Sequence, residues 1–168
     1  MTPGVPLSWC TQYAITGHEN NSMGLSKEHL NNNDVAVTFD PDLLAGRLKS
    51  ELAEVSFCLL MGSAKDGVVQ PRSDLDLAFY TDGKPGLDFF VRAEKIVGDA
   101  VPGVRCDIGI LNRAEPIFQF ESLKGRLLFA RDMKKYAGFF SLACRQYESQ
   151  IADYKRQLTY RLEAHGEI

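Results

Sequence analysis

Hydrophobic and polar residues alternate along the chain in a pattern that predicts secondary structure from about Val35 onward. A helix is expected to begin at Pro41, with Asp40 as its cap, because apolar residues then recur every three or four positions. This helical face consists of Leu43, Leu44, Leu48, Leu52 and Val55. The apolar run over residues 57–61 stops at Gly62, which predicts a short buried strand.

Further strands are predicted by short apolar runs over residues 75–80, 104–111 and 127–129. The intervening residues 62–73 are expected to form a loop, because glycines and a proline interrupt them. Apolar residues at helical spacing predict a second helix over about residues 87–101. Helices that alternate with strands favour an α/β (α+β) fold, in which a small mixed sheet of about four strands is flanked by helices.

The C-terminal segment carries the most regular hydrophobic period of the chain. Its apolar positions step by three or four residues: Met133, Tyr136, Phe140, Ala143, Tyr147, Ile151, Tyr154, Leu158 and Leu162. One helix over residues 132–163 would be roughly 45–50 Å long, longer than a domain of this size. Part of the stripe should then lack a partner within the chain, which predicts a partner protein or a homo-oligomer. The alternative is two helices broken near Arg145, both packed within the chain.

Residues 1–34 differ from the rest, since they are rich in Gly, Pro, Ser and Asn and show no hydrophobic period. Such a composition predicts disorder, because it buries too little apolar surface to offset chain entropy. A true start near Met23 is a second expectation. The predicted organisation is therefore a disordered extension over 1–34, a globular domain over 35–131 and a helical extension for partner contact over 132–168.

Composition narrows the classes of function. The chain has 168 residues, a net charge of −3 and no basic arm, so nucleic-acid binding is not expected. No run of about 18 apolar residues exists, so no membrane span is expected. The four cysteines are scattered without a C-x-x-C pair, which is typical of reduced cysteines in a cytoplasmic protein.

Three carboxylates lie in two of the predicted strands. Asp74 and Asp76 flank Leu75, and side chains two residues apart on a strand point to the same side. Asp107 interrupts the following strand and joins this pair if the two strands are neighbours. Clustered carboxylates repel one another, and a divalent cation removes that repulsion. Hard oxygen ligands suit Mg²⁺, so the three aspartates predict a magnesium site.

Small residues accompany the carboxylates. Ala78 and Gly109 lie two positions further along each strand and are expected to leave space for a ligand. Gly62 and Ser63 follow the first predicted strand. A glycine lets backbone N–H groups approach a phosphate, and a serine hydroxyl adds a donor, although this pair alone is a weak signal.

The segment GSAKDGVVQPRSDLDLAFY, residues 62–80, resembles the signature of the minimal nucleotidyltransferase (MNT) domains of the DNA polymerase β superfamily. That signature is Gly-Ser, a loop with a glycine, and Ser-Asp-x-Asp-Leu. The strand VRCDIGIL matches the one that carries the third family aspartate, and GRLLFARD resembles the strand and helix start that close the domain. The resemblance spans about residues 40–140. The C-terminal helix is similar to that of MntA-type antitoxins, which are encoded beside a HEPN-domain toxin.

The resemblance implies a Mg²⁺-dependent nucleotidyltransferase, with two Mg²⁺ ions as cofactors and ATP as the substrate. The implied site comprises catalytic and metal-binding Asp74, Asp76 and Asp107, and nucleotide-binding Gly62, Ser63, Lys65 and Ser73. In the implied reaction, a hydroxyl attacks the α-phosphorus in line and pyrophosphate leaves. The implied acceptor is a tyrosine of a cognate HEPN-type toxin, which makes the chain an antitoxin and protein adenylyltransferase.

Two alternatives stay open. After Gly-Ser the family often carries arginine, whereas this chain has Asp66, a negative charge near the expected triphosphate, with Lys65 as a compensating charge. The domain could then be a weak or inactive one that acts as a binding antitoxin. The other alternative is a nucleotidyltransferase with a small-molecule acceptor, although the chain offers little beyond the minimal domain to build an acceptor pocket.

Overall fold

A computed structural model describes residues 34–164 of the chain. The strands are β1 (Val37–Thr38), β2 (Val55–Leu60), β3 (Val68–Val69), β4 (Leu75–Thr81), β5 (Cys106–Ile110) and β6 (Arg126–Ala130). The helices are α1 (Pro41–Glu51), α2 (Leu87–Ala100), α3 (Pro116–Ser122) and α4 (Met133–Ala164). The predicted disorder of residues 1–34 lies outside the described residues, except for residue 34 itself. The predicted start near Met23 also lies outside them.

The central sheet has four strands in the order β5-β4-β2-β6. Strand β2 runs antiparallel to both of its neighbours, whereas β4 and β5 are parallel. A parallel pair requires a crossover connection, and α2 supplies it between β4 and β5. The predicted small mixed sheet flanked by helices is confirmed. The two-stranded sheet of β1 and β3 was not predicted, since two residues per strand are too few for a period.

The two faces of the sheet pack against different helices. Alternate residues of β4 (Leu75, Leu77 and Phe79) are buried in one cluster with apolar residues of α1 and α2. Ala78 belongs to a second cluster on the other face, with residues of β2 and α4. Because side chains alternate along a strand, Asp76 shares this second face with Ala78.

Helix α1 begins as its sequence predicts. The Asp40 carboxylate accepts hydrogen bonds from the backbone N–H groups of Asp42, at 2.8 Å, and Leu43, at 3.3 Å. Pro41 occupies the first helical turn, where its missing N–H leaves no bond unmade. Leu44 and Leu48 are fully buried on the inner side of the helix.

Helix α4 is continuous over 32 residues, so the alternative of two helices broken near Arg145 is wrong. Its inner face contains Phe139, which is 7% exposed, rather than Phe140, which is 45% exposed. Both positions fit a helical period. The choice depends on tertiary packing, because the Phe139 ring meets the rings of Phe57 at 5.2 Å and Tyr80 at 5.5 Å.

The outer half of α4, from Ile151 to the end of the described chain, leaves apolar side chains exposed. Tyr154 is 62% exposed and Leu158 is 44% exposed. Among residues 34–164, this part of the predicted stripe therefore lacks a packing partner. Within residues 34–164, no helix combines the length and the apolar content needed to cross a bilayer.

Helix α3 was not predicted, because seven residues span only about two turns and show no clear period. It packs against α4, where the rings of Phe120 and Tyr147 stack at 3.9 Å. Its Phe118 covers Gly109 so closely that a Cβ atom at residue 109 would lie 2.6 Å from the ring. The expectation that Gly109 leaves space for a ligand is therefore wrong: a side chain of the protein fills that space.

Gly125, between α3 and β6, should tolerate no side chain. A Cβ atom there would lie 2.5 Å from the carbonyl oxygen of Leu60 and 3.0 Å from that of Ser122. We expect Gly125→Ala to lower the free energy of unfolding by about 1–3 kcal/mol, because backbone atoms must shift. Urea denaturation followed by circular dichroism measures it.

The matched control is Gly46→Ala in the middle of α1, where nothing lies within 4 Å of the new Cβ atom. This variant should be more stable by about 0.5–1 kcal/mol, since alanine loses less entropy in a helix. Equal effects of the two substitutions would contradict the packing described here.

Candidate active site

The parallel pairing of β4 with β5 brings the predicted carboxylates to one edge of the sheet. Asp76 is the register partner of Asp107, and Leu75 is the partner of Cys106. Paired residues of neighbouring strands point to the same face, so Asp76 and Asp107 lie side by side. Asp74 immediately precedes β4 and shares their side of the strand, because it lies two residues before Asp76.

None of the three carboxylates is buried in the core: Asp107 is exposed, and Asp74 and Asp76 are half-buried. Asp74 is engaged by Arg105, whose Nε donates to Oδ1 at 3.1 Å and whose Nη2 donates to Oδ2 at 2.5 Å. In the described part of the chain, no three carboxylate, histidine or cysteine side chains are gathered around a common point at metal-ligand distance. The structure thus pairs Asp76 with Asp107 and turns Asp74 toward Arg105.

The environment of Asp76 disfavours its ionised form. Burial raises the pKa of the Asp76 carboxyl group, and the negative charges of Asp107 and Asp74 raise it further. A cation at this edge would offset both effects, because it stabilises the ionised carboxylates that it contacts. The electrostatics and the oxygen donors therefore fit a hard divalent cation such as Mg²⁺.

Gly62 lies directly against this carboxylate. Its φ of +66° is in the left-handed region, and a Cβ atom there would lie 2.7 Å from Oδ2 of Asp76. The backbone N–H of Met61 also donates to the carbonyl oxygen of Asp76 at 2.9 Å. Because β2 is antiparallel to β4, the Gly-Ser turn and the carboxylates meet at the same edge of the sheet.

The other expected nucleotide-binding residues lie in or after this turn. Ser63 is exposed within a five-residue 3₁₀ turn, Gly62–Asp66. Lys65 belongs to the same turn, and its Nζ donates to the carbonyl oxygen of Lys124 at 3.1 Å. Ser73 is half-buried one residue before Asp74, and its N–H donates to the carbonyl oxygen of Gln70 at 3.0 Å. Their roles in binding stay predictions.

Sequence analysis missed two residues at this edge. Arg105 lies two positions before Asp107, so the alternation that grouped the aspartates also places it beside them. Phe118 gave no such signal, because its position over Gly109 depends on how α3 folds back on the sheet.

Three cysteines lie in the described part of the chain. Cys58, Cys106 and Cys144 are free thiols there. Burial raises the pKa of Cys106, and the charge of the adjacent Asp107 raises it further, so the thiol stays protonated. The prediction for Cys10 falls outside the described residues.

Replacing Asp76 should stabilise the protein at neutral pH. A pKa raised in the folded state means that ionisation of Asp76 opposes folding, so stability is lost as the pH rises from about 3.9, the unfolded value, through the folded pKa. We expect Asp76→Asn to raise the melting temperature at pH 7–8, and this gain should shrink as the pH falls toward about 4.

Thermal unfolding followed by circular dichroism across this pH range measures the effect. Asp66→Asn is the control, since Asp66 is an exposed aspartate of the neighbouring turn, and it should show no such pH-dependent gain. An Asp76→Asn protein that is less stable than the parent at pH 8 would show that the carboxylate stabilises the fold.

Comparison with known proteins agrees with this geometry. Residues 44–134 match the family described as polymerase beta, nucleotidyltransferase. A search of curated protein sequences finds no match.

Several solved structures share the fold. A mutant of the MntA-HpeT toxin–antitoxin superposes with a TM-score of 0.60 at 13% identity, over 73% of this chain and 98% of that one. A toxin–antitoxin with AMP-PNP gives a TM-score of 0.59 at 14% identity, over 73% of this chain and 98% of that one. A tri-AMPylated HEPN toxin of Shewanella oneidensis in complex with an MNT antitoxin gives 0.55 at 13%, over 73% of this chain and 99% of that one.

At such identities these superpositions establish the likeness of fold, whereas the family match covers more than half of the chain and includes Gly62 and all three aspartates. The chain therefore belongs to the polymerase β nucleotidyltransferase family, and its fold is that of an MNT domain resembling MntA.

Proposed function

We propose that the protein is a cytoplasmic antitoxin that transfers AMP from ATP to the hydroxyl of a tyrosine on a HEPN-type toxin. The observation that carries this proposal is the register pairing of Asp76 with Asp107, beside Gly62, whose positive φ disfavours any other residue. Nucleotidyl transfer uses carboxylates that hold metal ions next to a turn that binds phosphate, and the paired aspartates beside the Gly-Ser turn support this assignment.

The proposed cofactors are two Mg²⁺ ions. Asp74 and Asp76 would hold both ions, and Asp107 would bind one of them. When bound, Mg²⁺ supplies charge stabilisation for the attacking and leaving oxygens of an in-line displacement. The raised pKa of Asp76 supports this assignment, since burial and the negative charges of Asp107 and Asp74 both disfavour an ionised carboxyl group that a cation would stabilise.

The chain's own residues orient the reactants. Asp107, which is exposed at this edge, would accept the proton of an incoming hydroxyl. The backbone N–H groups beside Gly62 would approach a phosphate, and the exposed Ser63 would donate from its hydroxyl. Lys65 and Ser73 complete the proposed set of phosphate contacts, with Lys65 exchanging its bond to Lys124.

The partner is proposed from the outer half of α4. Its exposed Tyr154 and Leu158, four residues apart on one side of the helix, form an apolar surface that the described chain does not cover. Structures of the same fold include an MNT antitoxin in complex with a HEPN toxin. The same helix could instead pair with a second copy of this chain, which makes the homo-oligomer the competing occupant.

One observation favours a second function, that of a binding antitoxin with a weak site. Two of the expected ligand groups are already engaged, Asp74 by Arg105 and Lys65 by a backbone carbonyl, and Asp66 adds an exposed negative charge to the turn. In this case α4 masks the toxin and the carboxylates are dispensable. A small-molecule acceptor, the other alternative, has no specific observation in its favour.

AMP transfer is tested with the product of the adjacent gene. We expect its mass to rise by one or more AMP groups in the presence of ATP and Mg²⁺, as measured by intact-protein mass spectrometry. Asp76→Asn should slow this transfer by at least about 100-fold, because it removes a metal ligand. Asp99→Asn, an exposed substitution on α2, is the control and should transfer AMP at the parent rate.

Suppression of the toxin without any gain in mass, by both the parent and Asp76→Asn, would reject catalysis in favour of the binding antitoxin. A mass gain on a small hydroxyl compound in place of the protein would favour the small-molecule acceptor.

The role of α4 in partner binding has its own test. We expect the double substitution Tyr154→Ala and Leu158→Ala to weaken the complex with the adjacent-gene product by at least about ten-fold, since each removes an apolar contact. The melting temperature of the unbound variant should equal that of the unbound parent, because both side chains are exposed. Isothermal titration calorimetry measures the affinity, and Lys155→Ala serves as the control on the same helix. Unchanged affinity would place the interface elsewhere.

A further inference from the structure

Arg105 is the charged residue at the site edge that the proposed reaction does not use. It precedes β5 by one residue, and the register that pairs Leu75 with Cys106 sets it opposite Asp74. The backbone is fixed there as well, because the N–H of Leu75 donates to the carbonyl oxygen of Arg105 at 2.8 Å. The guanidinium group is therefore held beside the first carboxylate of the Asp-x-Asp pair.

The contact between the two side chains uses both carboxylate oxygens of Asp74. Nε of Arg105 meets one oxygen at 3.1 Å and Nη2 meets the other at 2.5 Å, a bidentate arrangement. A divalent cation needs the same oxygens, and it also repels the guanidinium charge. Metal binding at Asp74 and the ion pair with Arg105 therefore compete.

This competition is weak enough to be reversed. The Arg105 side chain is 54% exposed and that of Asp74 is 22% exposed, so solvent screens the pair. Exposed ion pairs of this kind change an equilibrium by up to about five-fold. An effect of this size disfavours the binding of a free metal ion at Asp74. A nucleotide, whose phosphate groups carry negative charge, can still draw Arg105 away from Asp74.

The proposed function supplies a matching acceptor for a released guanidinium group. Arg105 lies at the same edge as Gly62 and Ser63, where the proposed function places the triphosphate. The planar fork of an arginine binds two phosphate oxygens as readily as two carboxylate oxygens. When Arg105 changes its hydrogen-bond partner from Asp74 to a phosphate group, it keeps two acceptors for its donors. Asp74 is then available to bind the metal.

We propose that Arg105 selects the metal–nucleotide complex over the free metal ion, by holding Asp74 in the nucleotide-free site and passing its two donors to a phosphate group when the nucleotide binds. This inference rests on the proposed function only in taking the site to bind a metal-bound nucleoside triphosphate. The acceptor and the transfer step do not enter it.

The test measures binding of Mn²⁺, which shares the oxygen ligands of Mg²⁺ and is detected by electron paramagnetic resonance. Arg105→Gln should bind free Mn²⁺ up to about five-fold more tightly than the parent, because its competitor is gone. The same variant should bind AMP-PNP in the presence of Mn²⁺ about five-fold or more weakly, measured by calorimetry, because it loses charge-assisted bonds to phosphate. Opposite signs in the two measurements are the signature of selection.

Arg47→Gln is the matched control, since Arg47 on α1 carries the same charge and forms an exposed ion pair with Asp99 on α2. It should change neither affinity, and a change equal to that of Arg105→Gln would overturn the proposal in favour of net charge. Arg105→Lys keeps the charge without the fork and should fall between the parent and Arg105→Gln. It also carries the test if the glutamine variant does not fold.

Two results would overturn the role of Arg105 without affecting the proposed function. One is that Arg105→Gln binds free Mn²⁺ no more tightly than the parent does, and the other is that both proteins bind AMP-PNP equally. A parent protein that binds no AMP-PNP with Mn²⁺ overturns this inference and the proposed function together. Binding with the expected signs but no AMP on the toxin rejects the proposed acceptor and leaves Arg105 as the selecting residue.

Discussion

The register between β4 and β5 is the constraint on which the site depends. It sets Asp76 directly opposite Asp107 and leaves the two like charges side by side on one face. Such an arrangement opposes folding when both groups are ionised, as the raised pKa of Asp76 shows. The neighbouring residues accommodate this arrangement. Gly62 has no side chain that would clash with the Asp76 carboxylate, and the positive charge of Arg105 lies beside Asp74.

Asp76 is held by an inner strand of the central sheet. Strand β4 is the second strand of the sheet, paired on both sides, and its alternate residues Leu75, Leu77 and Phe79 are buried against α1 and α2. A strand anchored on one face positions the side chains of the other face precisely enough for chemistry. Phe118 then covers Gly109, so the site is bounded on one side by the protein itself.

Helix α4 divides into two parts with different surroundings. Its first half is anchored by Phe139 in the aromatic cluster and by Tyr147 on Phe120. Its second half leaves Tyr154 and Leu158 in solvent, although a helix gains most of its stability from packing an apolar face. Among the described residues nothing covers these side chains, and the candidate site lies in the domain that anchors this helix.

The amino-acid sequence by itself determined the elements and their chemistry. Apolar periods predicted α1, α2 and α4 and the four strands of the central sheet, because period depends on local spacing alone. The alternation in Asp74-Leu75-Asp76 already placed two carboxylates on one side of a strand, and the Gly-Ser and Asp-x-Asp spacing indicated the family. The short elements β1, β3 and α3 were not predicted, because they contain too few residues for a hydrophobic period to be recognised.

Only the tertiary structure decided which of several equally periodic residues face inward and which distant residues meet. Phe139 and Phe140 both fit a helical stripe, and the aromatic cluster of Phe57 and Tyr80 selected the former. Strand alternation puts Arg105 on the side of Asp107, but its contact with Asp74, like the covering of Gly109 by Phe118, depends on the tertiary structure. Both contacts join segments far apart in the chain, and such contacts are set by how strands pair and helices pack rather than by the preferences of neighbouring residues.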